Sequence, residues 1–239
     1  MNWLLKLKNN GLKWSSEQLY LSSFALYLAS VTIQTTTFST YYPHRVGTII
    51  QLFTLLVMVS KLVFLDELTL PQILVDLGLL SLGTIVLLTS GMHAIIVTVV
   101  LVLAARQVDF NKIIKVYLIV VGSLLLLAFL AAEVGLIKNI TFETSNGLRQ
   151  SFGVMYTTDF AAHIFYLCCA YLYLRVRTFR LVDLIPVLLG TWVVYRYTKT
   201  MTDLMALVLL IGLFLLYVYR RQLKRFWVCS AVLRYSFLA

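Results

Sequence analysis

Residues 113–133 of the chain read IIKVYLIVVGSLLLLAFLAAE, and Lys115 and Glu133 are the only charged side chains in this run. The hydrocarbon core of a bilayer is about 30 Å thick, and a helix needs roughly 20 mostly apolar residues to cross it. A helix satisfies its backbone hydrogen bonds internally, whereas a barrel strand would alternate apolar and polar residues, which this run does not do. The run therefore predicts a membrane-spanning α-helix.

The composition extends this interpretation to the rest of the chain. Of its 239 residues, 61% are hydrophobic and 13% are charged, and the mean hydropathy is +0.90. An ordinary soluble domain is roughly 45–50% apolar and about 25% charged, so a soluble fold of this size could not bury the excess apolar surface. The same numbers exclude a disordered chain, a collagen and a disulfide scaffold. We predict an all-α, polytopic integral membrane helical bundle that forms one multi-spanning domain over residues 1–239.

Eight spans are predicted along the chain, of which the fourth and seventh are short. Their approximate ranges are 17–39, 46–65, 70–89, 92–108, 113–133, 154–174, 180–196 and 202–219. Spans five and six are joined by a long, polar outer loop over residues 134–153, VGLIKNITFETSNGLRQSFG. The basic residues 1–18 lack the cleavage site of a secretory signal, so we expect them to be a cytoplasmic lead-in to the first span.

The basic residues set the expected orientation. With eight spans and the N-terminus inside, the inner segments hold 15 Lys and Arg residues, and the outer segments hold five: Arg45, Lys138, Arg149, Arg196 and Lys199. Because Lys and Arg collect in cytoplasmic loops, this asymmetry predicts that both termini are cytoplasmic. It also accounts for most of the net charge of +10 without a nucleic-acid partner.

The first candidate functional segment, RQSFGVMYTTDFAAH, covers residues 149–163 and runs from the outer loop into span six. Arg149 is expected just outside the bilayer, where its guanidinium can bind phosphate oxygens through paired donors. Asp159 and His163 are four residues apart and share one face of a helix. Ionisable groups within a span are costly and are candidates for function. The structural alternative is that Arg149 contacts lipid headgroups while Asp159 pairs with His163.

Two other outer turns carry cations. The segment YRYTKTMTD, residues 195–203, places Arg196 and Lys199 among three threonines, which suits a phosphate or sugar hydroxyls. The segment YYPHR, residues 41–45, forms a proline-containing corner in which Arg45 could bind an anion. For both turns the alternative is an ordinary hydrated turn with interfacial tyrosines, and this alternative is favoured.

Motifs of several other chemistries are missing from the sequence. It has no Walker loop and no GxGxxG, HExxH or GxSxG motif. Its three cysteines have neither a CxxC nor a metal-ligand spacing. We therefore expect no cofactor and no metal ligands.

The segment RQSFGVMYTTDFAAH resembles the Wzy-type polysaccharide polymerases of bacteria, in the broad O-antigen polymerase and ligase superfamily. The similarity rests on the Arg-x-Ser-Phe-Gly pattern at residues 149–153, on the element with Asp159 that opens span six, and on the threonine-rich turn YTKTMTD. It covers about residues 149–205, and the many spans and the cationic outer face agree with it. This chain departs from the family at Thr157, where the family has proline, and at Lys199, where arginine is common.

The resemblance implies a multi-pass glycosyltransferase of the bacterial cell membrane. Such an enzyme polymerises oligosaccharide repeat units, carried on undecaprenyl diphosphate, into exopolysaccharide or capsule at the outer face. Arg149 would bind the diphosphate, and Asp159 or His163 would deprotonate the acceptor hydroxyl. The other substrate-binding residues would be Arg196, Lys199, Tyr156 and Arg45. The implied partners are the lipid-linked substrate, membrane lipids, and the flippase and chain-length regulator of an assembly system.

Three alternatives stay open at this point. The chain could be a ligase-type enzyme that transfers a finished glycan to another acceptor. It could be a component of a polysaccharide transporter or flippase, for which we would expect repeated halves and helices broken in mid-membrane. Because it is shorter than the polymerases that it resembles, it could also be an inactive, truncated polymerase or a non-catalytic partner in glycan assembly.

Overall fold

A computed structural model describes residues 15–91, 93–144 and 147–236, with side chains up to residue 220. Within these ranges it contains eight α-helices: α1 Ser16–Thr35, α2 His44–Phe64, α3 Leu70–Ser90, α4 His93–Ala104, α5 Phe110–Glu133, α6 Thr157–Arg175, α7 Ile185–Val193 and α8 Met201–Ser236. Short 3-10 helices cover Thr37–Thr40 and Leu181–Leu184, and a π-helix over Val194–Thr198 continues α7. The helical framework is thus confirmed, with one two-stranded hairpin added to it.

Five helical segments among the described residues are long and apolar enough to cross a membrane. They are α2, α3, α5, the segment Leu181–Thr198 that contains α7, and Met201–Arg220 of α8. Many of their large apolar side chains are exposed, which is what a lipid-facing surface requires. The chain is therefore a helical membrane protein, and the full count of eight spans stays a prediction.

Helix α4 is shorter than the fourth predicted span, which covers about residues 92–108. Helix α4 has 12 residues and ends at Ala104, and residues 105–109 form a turn. Gln107 in this turn has a left-handed backbone with φ of 61°. The apolar pattern continues through Ala105 and Val108, so hydropathy alone did not show where the helix ends.

The chain divides into two compact units, Met1–Leu127 and Ala128–Ala239. In the first unit, α1 packs against α2, α2 against α4, and α3 against α4. Lys61, near the end of α2, is fully buried. Its Nζ donates hydrogen bonds of 2.8 Å to the Asp66 carboxylate and to the carbonyl oxygens of Ala104 and Arg106. All three donors of the ammonium are thus used, and Lys61 caps the end of α4 while it pairs with Asp66.

Further ion pairs hold neighbouring helix ends at the same end of this unit. Arg106 donates to both carboxylate oxygens of Asp76 in α3, at 2.7 and 2.9 Å. Lys112 at the start of α5 pairs with Glu17 at the start of α1. Helices α1, α3 and α5 therefore begin at this end of the unit, and α2 and α4 end there. Successive antiparallel helices require this arrangement.

In the second unit, α6 packs against α7 and α8. The apolar interior between them includes Ala161, Cys168, Val187, Leu207 and Phe214. The end of α6 and the start of the α7 segment lie together at one end, where the hydroxyl of Tyr171 donates to Asp183 at 3.1 Å. The start of α6, the π-helix and the hairpin lie together at the other end.

Replacing Lys61 with methionine should destabilise the protein strongly. Removing one partner of a buried ion pair costs about 3–5 kcal/mol, because Asp66 would keep a buried charge and two carbonyl oxygens would lose their donor. We expect the thermal unfolding midpoint in detergent to fall in Lys61→Met and to recover in part in Lys61→Met/Asp66→Asn. The control Lys115→Met replaces an exposed lysine of α5 and should unfold like the wild type. An unchanged midpoint in Lys61→Met would contradict the buried ion pair.

Candidate functional site

The long segment 134–153, which the sequence analysis predicts as an outer loop, is not one irregular loop. Strands β1 (Thr141–Thr144) and β2 (Gly147–Gln150) form an antiparallel hairpin, in which Phe142 is opposite Arg149. The sequence prediction missed this hairpin. A signal was present in the sequence, because Asn146 and Gly147 are turn-forming residues at the boundary between two short runs with β-forming residues, although Gly147 itself belongs to β2.

The residues that follow β2 are buried and fix the hairpin within the second unit. The ring of Phe152 packs against Phe129, Phe160 and Tyr197, with centroid distances of 5.2, 5.2 and 5.3 Å. Phe152 and Gly153 both have left-handed backbones, with φ of 49° and 79°. A bulky residue rarely adopts this conformation, and the three aromatic contacts hold it in place. Such strain is often found at functional sites.

Arg149 lies in β2 and is half-buried. Its Nε atom is buried and has no hydrogen-bond partner, and the same holds for the hydroxyl of Ser151, two residues further along. Leaving a buried donor unpaired is costly, and more so when the group is charged. An anionic ligand with several acceptor oxygens would satisfy the guanidinium of Arg149 and offset its charge.

The turn between α7 and α8 lies against this hairpin. Strand β2 contacts the π-helix Val194–Thr198, and a Cβ atom built on Gly147 would lie only 2.6 Å from Nζ of Lys199. The ammonium of Lys199 is therefore directly beside the strand that carries Arg149. The π-helix ends at Lys199, which has a left-handed backbone and donates its N–H to the carbonyl oxygen of Val194 at 2.9 Å. Short π-helical segments are frequent at functional sites.

A cavity of about 260 Å³ opens at the same turn. Its lining consists of Tyr195, Arg196, Lys199, Thr200, Met201 and Leu204. Two of these six residues are cationic and none is acidic, so the cavity favours an anion. The guanidinium of Arg196 lies 5.7 Å from the ring centroid of Tyr197, and the hydroxyls of Thr198 and Thr200 are hydrogen-bonded at 3.0 Å.

The other predicted residues of span six lie at the start of α6. Tyr156 is the exposed residue before the helix, Asp159 lies in its first turn, and His163 follows one turn later. Asp159 and His163 are both half-buried. An aspartate in the first turn of a helix is stabilised by the helix dipole, which favours Asp159 at this position.

Arg45 belongs to the first compact unit, whereas the other six predicted site residues belong to the second. It is exposed at the second position of α2, directly after His44. The structure thus groups Arg149 with Lys199 and Arg196 and places Tyr156, Asp159 and His163 at the same end of their unit. Among the residues described, no three His, Cys, Asp or Glu side chains are arranged to hold a metal ion.

Comparison of the chain with protein-family models, curated proteins and solved structures gives no match. The family resemblance therefore rests on the motif quoted above, and arguments about the site rest on its own geometry.

Replacing Gly153 with alanine should disrupt the turn after the hairpin. The added Cβ would lie 2.7 Å from the carbonyl oxygen of Ala128, and the φ of 79° disfavours any residue with a side chain. We expect faster proteolysis within residues 134–153 and a lower unfolding midpoint in detergent. The matched control is Gly212→Ala in α8, where an added Cβ meets nothing within 4 Å. If both variants behave like the wild type, the turn does not require glycine.

Proposed function

We propose that this protein is a glycosyltransferase of the bacterial cell membrane that polymerises oligosaccharide repeat units carried on a lipid diphosphate. The observation that carries the proposal is the buried, unpaired Nε of Arg149, in a hairpin packed against the turn that bears Arg196 and Lys199. A diphosphate offers several acceptor oxygens and more than one negative charge, which suits this group of cations. The motif resemblance supplies the class of reaction and the undecaprenyl carrier.

The proposed topology has eight spans with both termini in the cytoplasm. It is supported by the distribution of Lys and Arg and by the alternating helix ends within each unit. The short helix α4 has a length of about 18 Å. The turn that follows it carries Arg106, which forms an ion pair with Asp76 in α3. Helix α4 therefore returns along most of α3. In this topology the hairpin and the α7–α8 turn face the outside of the cell.

In the proposed reaction a sugar hydroxyl of the acceptor attacks the anomeric carbon of the donor glycan. The bond from that carbon to the diphosphate oxygen breaks, and the lipid diphosphate leaves with the electron pair. Arg149 would bind the phosphate oxygens and offset the charge that grows on them, with Arg196 and Lys199 as secondary contacts. We assign Asp159 or His163 as the acceptor of the hydroxyl proton, and Tyr156 as a further substrate contact.

Ligase-type transfer to a different acceptor uses the same donor chemistry and is the runner-up. A transporter is less favoured, because transporter sites are typically formed by helices broken near the bilayer midplane. The π-helix of this chain lies instead at the end of α7, directly before the turn.

A single cysteine at position 149 tests the proposed topology. In a variant without the native cysteines, it should react in intact cells with a maleimide that cannot cross the membrane. A matched single cysteine at position 177, in the basic turn after α6, should react only after the cells are permeabilised. The reverse pattern would place the hairpin in the cytoplasm and contradict the proposed function.

Chain growth on a synthetic lipid-diphosphate repeat unit tests the proposed activity. Purified protein in liposomes should lengthen the glycan without any nucleotide sugar, and a gel reports the length of the product. Arg149→Ala should slow this by about 10²-fold, the loss typical for one donor to a developing charge. Arg149→Lys should keep only part of the wild-type activity, because lysine lacks the paired donors of arginine. The exposed Arg177 is the matched control, and Arg177→Ala should be as active as the wild type.

Two outcomes of this assay would contradict polymerisation, and a third would contradict the role of Arg149. Transfer of a single unit without chain growth would indicate a ligase. Movement of the lipid across the bilayer without a new glycosidic bond would indicate a transporter. Equal activity in Arg149→Ala and the wild type would remove the proposed role of Arg149.

A further inference from the structure

A second cavity lies at the other end of the second unit, away from the hairpin. Its volume is about 520 Å³, and it is lined by Phe179, Arg180, Leu181, Leu215, Leu216, Val218 and Tyr219. Binding sites for small molecules commonly measure roughly 300–1,000 Å³. The cavity is therefore large enough for part of a lipid, and none of its residues has a role in the function proposed above.

The lining of this cavity combines one cation with six apolar or aromatic side chains. The nearby carboxylate of Asp183 already accepts the backbone N–H of Arg180 at 2.8 Å and the hydroxyl of Tyr171 at 3.1 Å, and it lies 3.5 Å from Arg175. Within the part of the chain that the structure describes, no ion pair involves the guanidinium of Arg180. Arg180 attracts the Asp183 carboxylate without forming an ion pair with it, so its guanidinium donors can still bind an anion from outside the protein.

The position of the cavity suits the boundary between hydrocarbon and headgroups. Arg180 directly precedes the candidate span Leu181–Thr198, and Tyr219 lies at the end of the candidate span Met201–Arg220. Tyrosine is enriched at membrane–water interfaces. The exposed side chains of Leu215 and Leu216 continue the apolar wall along α8.

The sequence around this cavity is strongly basic. The last residue of α6, the connection after it and the end of the candidate span in α8 supply Arg175, Arg177, Arg180 and Arg220, against the one acidic residue Asp183. Basic clusters at the end of a span attract anionic lipids, and basic pockets between helices bind their headgroups. We therefore expect this basic region to favour an anionic lipid over a zwitterionic one.

We propose that this cavity binds an anionic phospholipid. The phosphodiester oxygens accept hydrogen bonds from the guanidinium of Arg180, and an acyl chain lies along Leu215 and Leu216. This site does not depend on the proposed glycan transfer. Loss of lipid binding and loss of polymerisation are measured separately and on different residues.

The test uses the purified full chain, freed of lipid in a neutral detergent and titrated with phosphatidylglycerol or phosphatidylcholine. Native mass spectrometry reports the bound lipid, and the thermal unfolding midpoint reports stabilisation. We expect phosphatidylglycerol to stay bound and raise the midpoint, and phosphatidylcholine to bind more weakly. Arg180→Gln should weaken phosphatidylglycerol binding about fivefold, the contribution of one cation near the membrane surface.

Two further variants separate the cavity from the surrounding charge. Arg177→Gln removes the same charge from a neighbouring exposed residue outside the lining and should weaken phosphatidylglycerol binding clearly less than Arg180→Gln does. Leu181→Trp fills the cavity without changing the charge, and Leu181 is 75% exposed, so the fold should tolerate it. We expect this variant to lose the bound lipid while keeping the midpoint of the lipid-free protein.

Three results would overturn the proposal. Equal weakening in Arg180→Gln and Arg177→Gln would indicate attraction by general surface charge. Equal binding of phosphatidylglycerol and phosphatidylcholine would remove the need for an anionic headgroup. Binding of inorganic phosphate as tightly as the lipid would indicate a site for a free anion. The comparison of Arg180→Gln with Arg177→Gln decides the question even if Leu181→Trp fails to fold.

Discussion

Hydrocarbon offers no hydrogen-bond partner, so every polar group of this chain that leaves water must find one within the protein. Helices satisfy their own backbones, but their last carbonyl oxygens have no donor within the helix. The first unit meets this need with Lys61, whose ammonium donates to the carbonyl oxygen of Ala104 at the end of α4, to that of Arg106 just beyond it and to the carboxylate of Asp66. Because one buried cation serves both an ion pair and a helix end, α2 and α4 are held in a fixed register.

The same constraint makes the hairpin end of the second unit unusual. There Arg149 keeps a buried N–H without a partner, and the ammonium of Lys199 lies beside the same strand. A buried guanidinium N–H without a partner is unfavourable, so this end of the unit favours an anionic ligand that accepts from Arg149. The strained turn at Phe152 and Gly153 persists because its aromatic ring is tightly packed. Packing thus holds a geometry that electrostatics alone would not favour.

The two cavities described above, both in the second unit, differ in the chemistry of their linings. The cavity at the α7–α8 turn has Arg196, Lys199 and a threonine hydroxyl, which suit a polar ligand with several charged oxygens. The cavity near Arg180 has one guanidinium and a continuous apolar wall, which suit an amphiphile with one phosphate. The two linings differ in their number of cations and in the extent of their apolar surface. They therefore favour different classes of ligand at opposite ends of one helical unit.

The sequence by itself determined the membrane class and the approximate place of each helix, because an apolar run is a local property of the chain. The hairpin was also predictable from the local segment TFETSNGLRQ, although the loop prediction for 134–153 missed it. Only the tertiary structure decided that Lys61 meets Ala104, that Lys199 lies beside the strand of Arg149, and that Arg180 borders a cavity. These contacts join residues on different helices, and helix packing, which hydropathy does not encode, selects them.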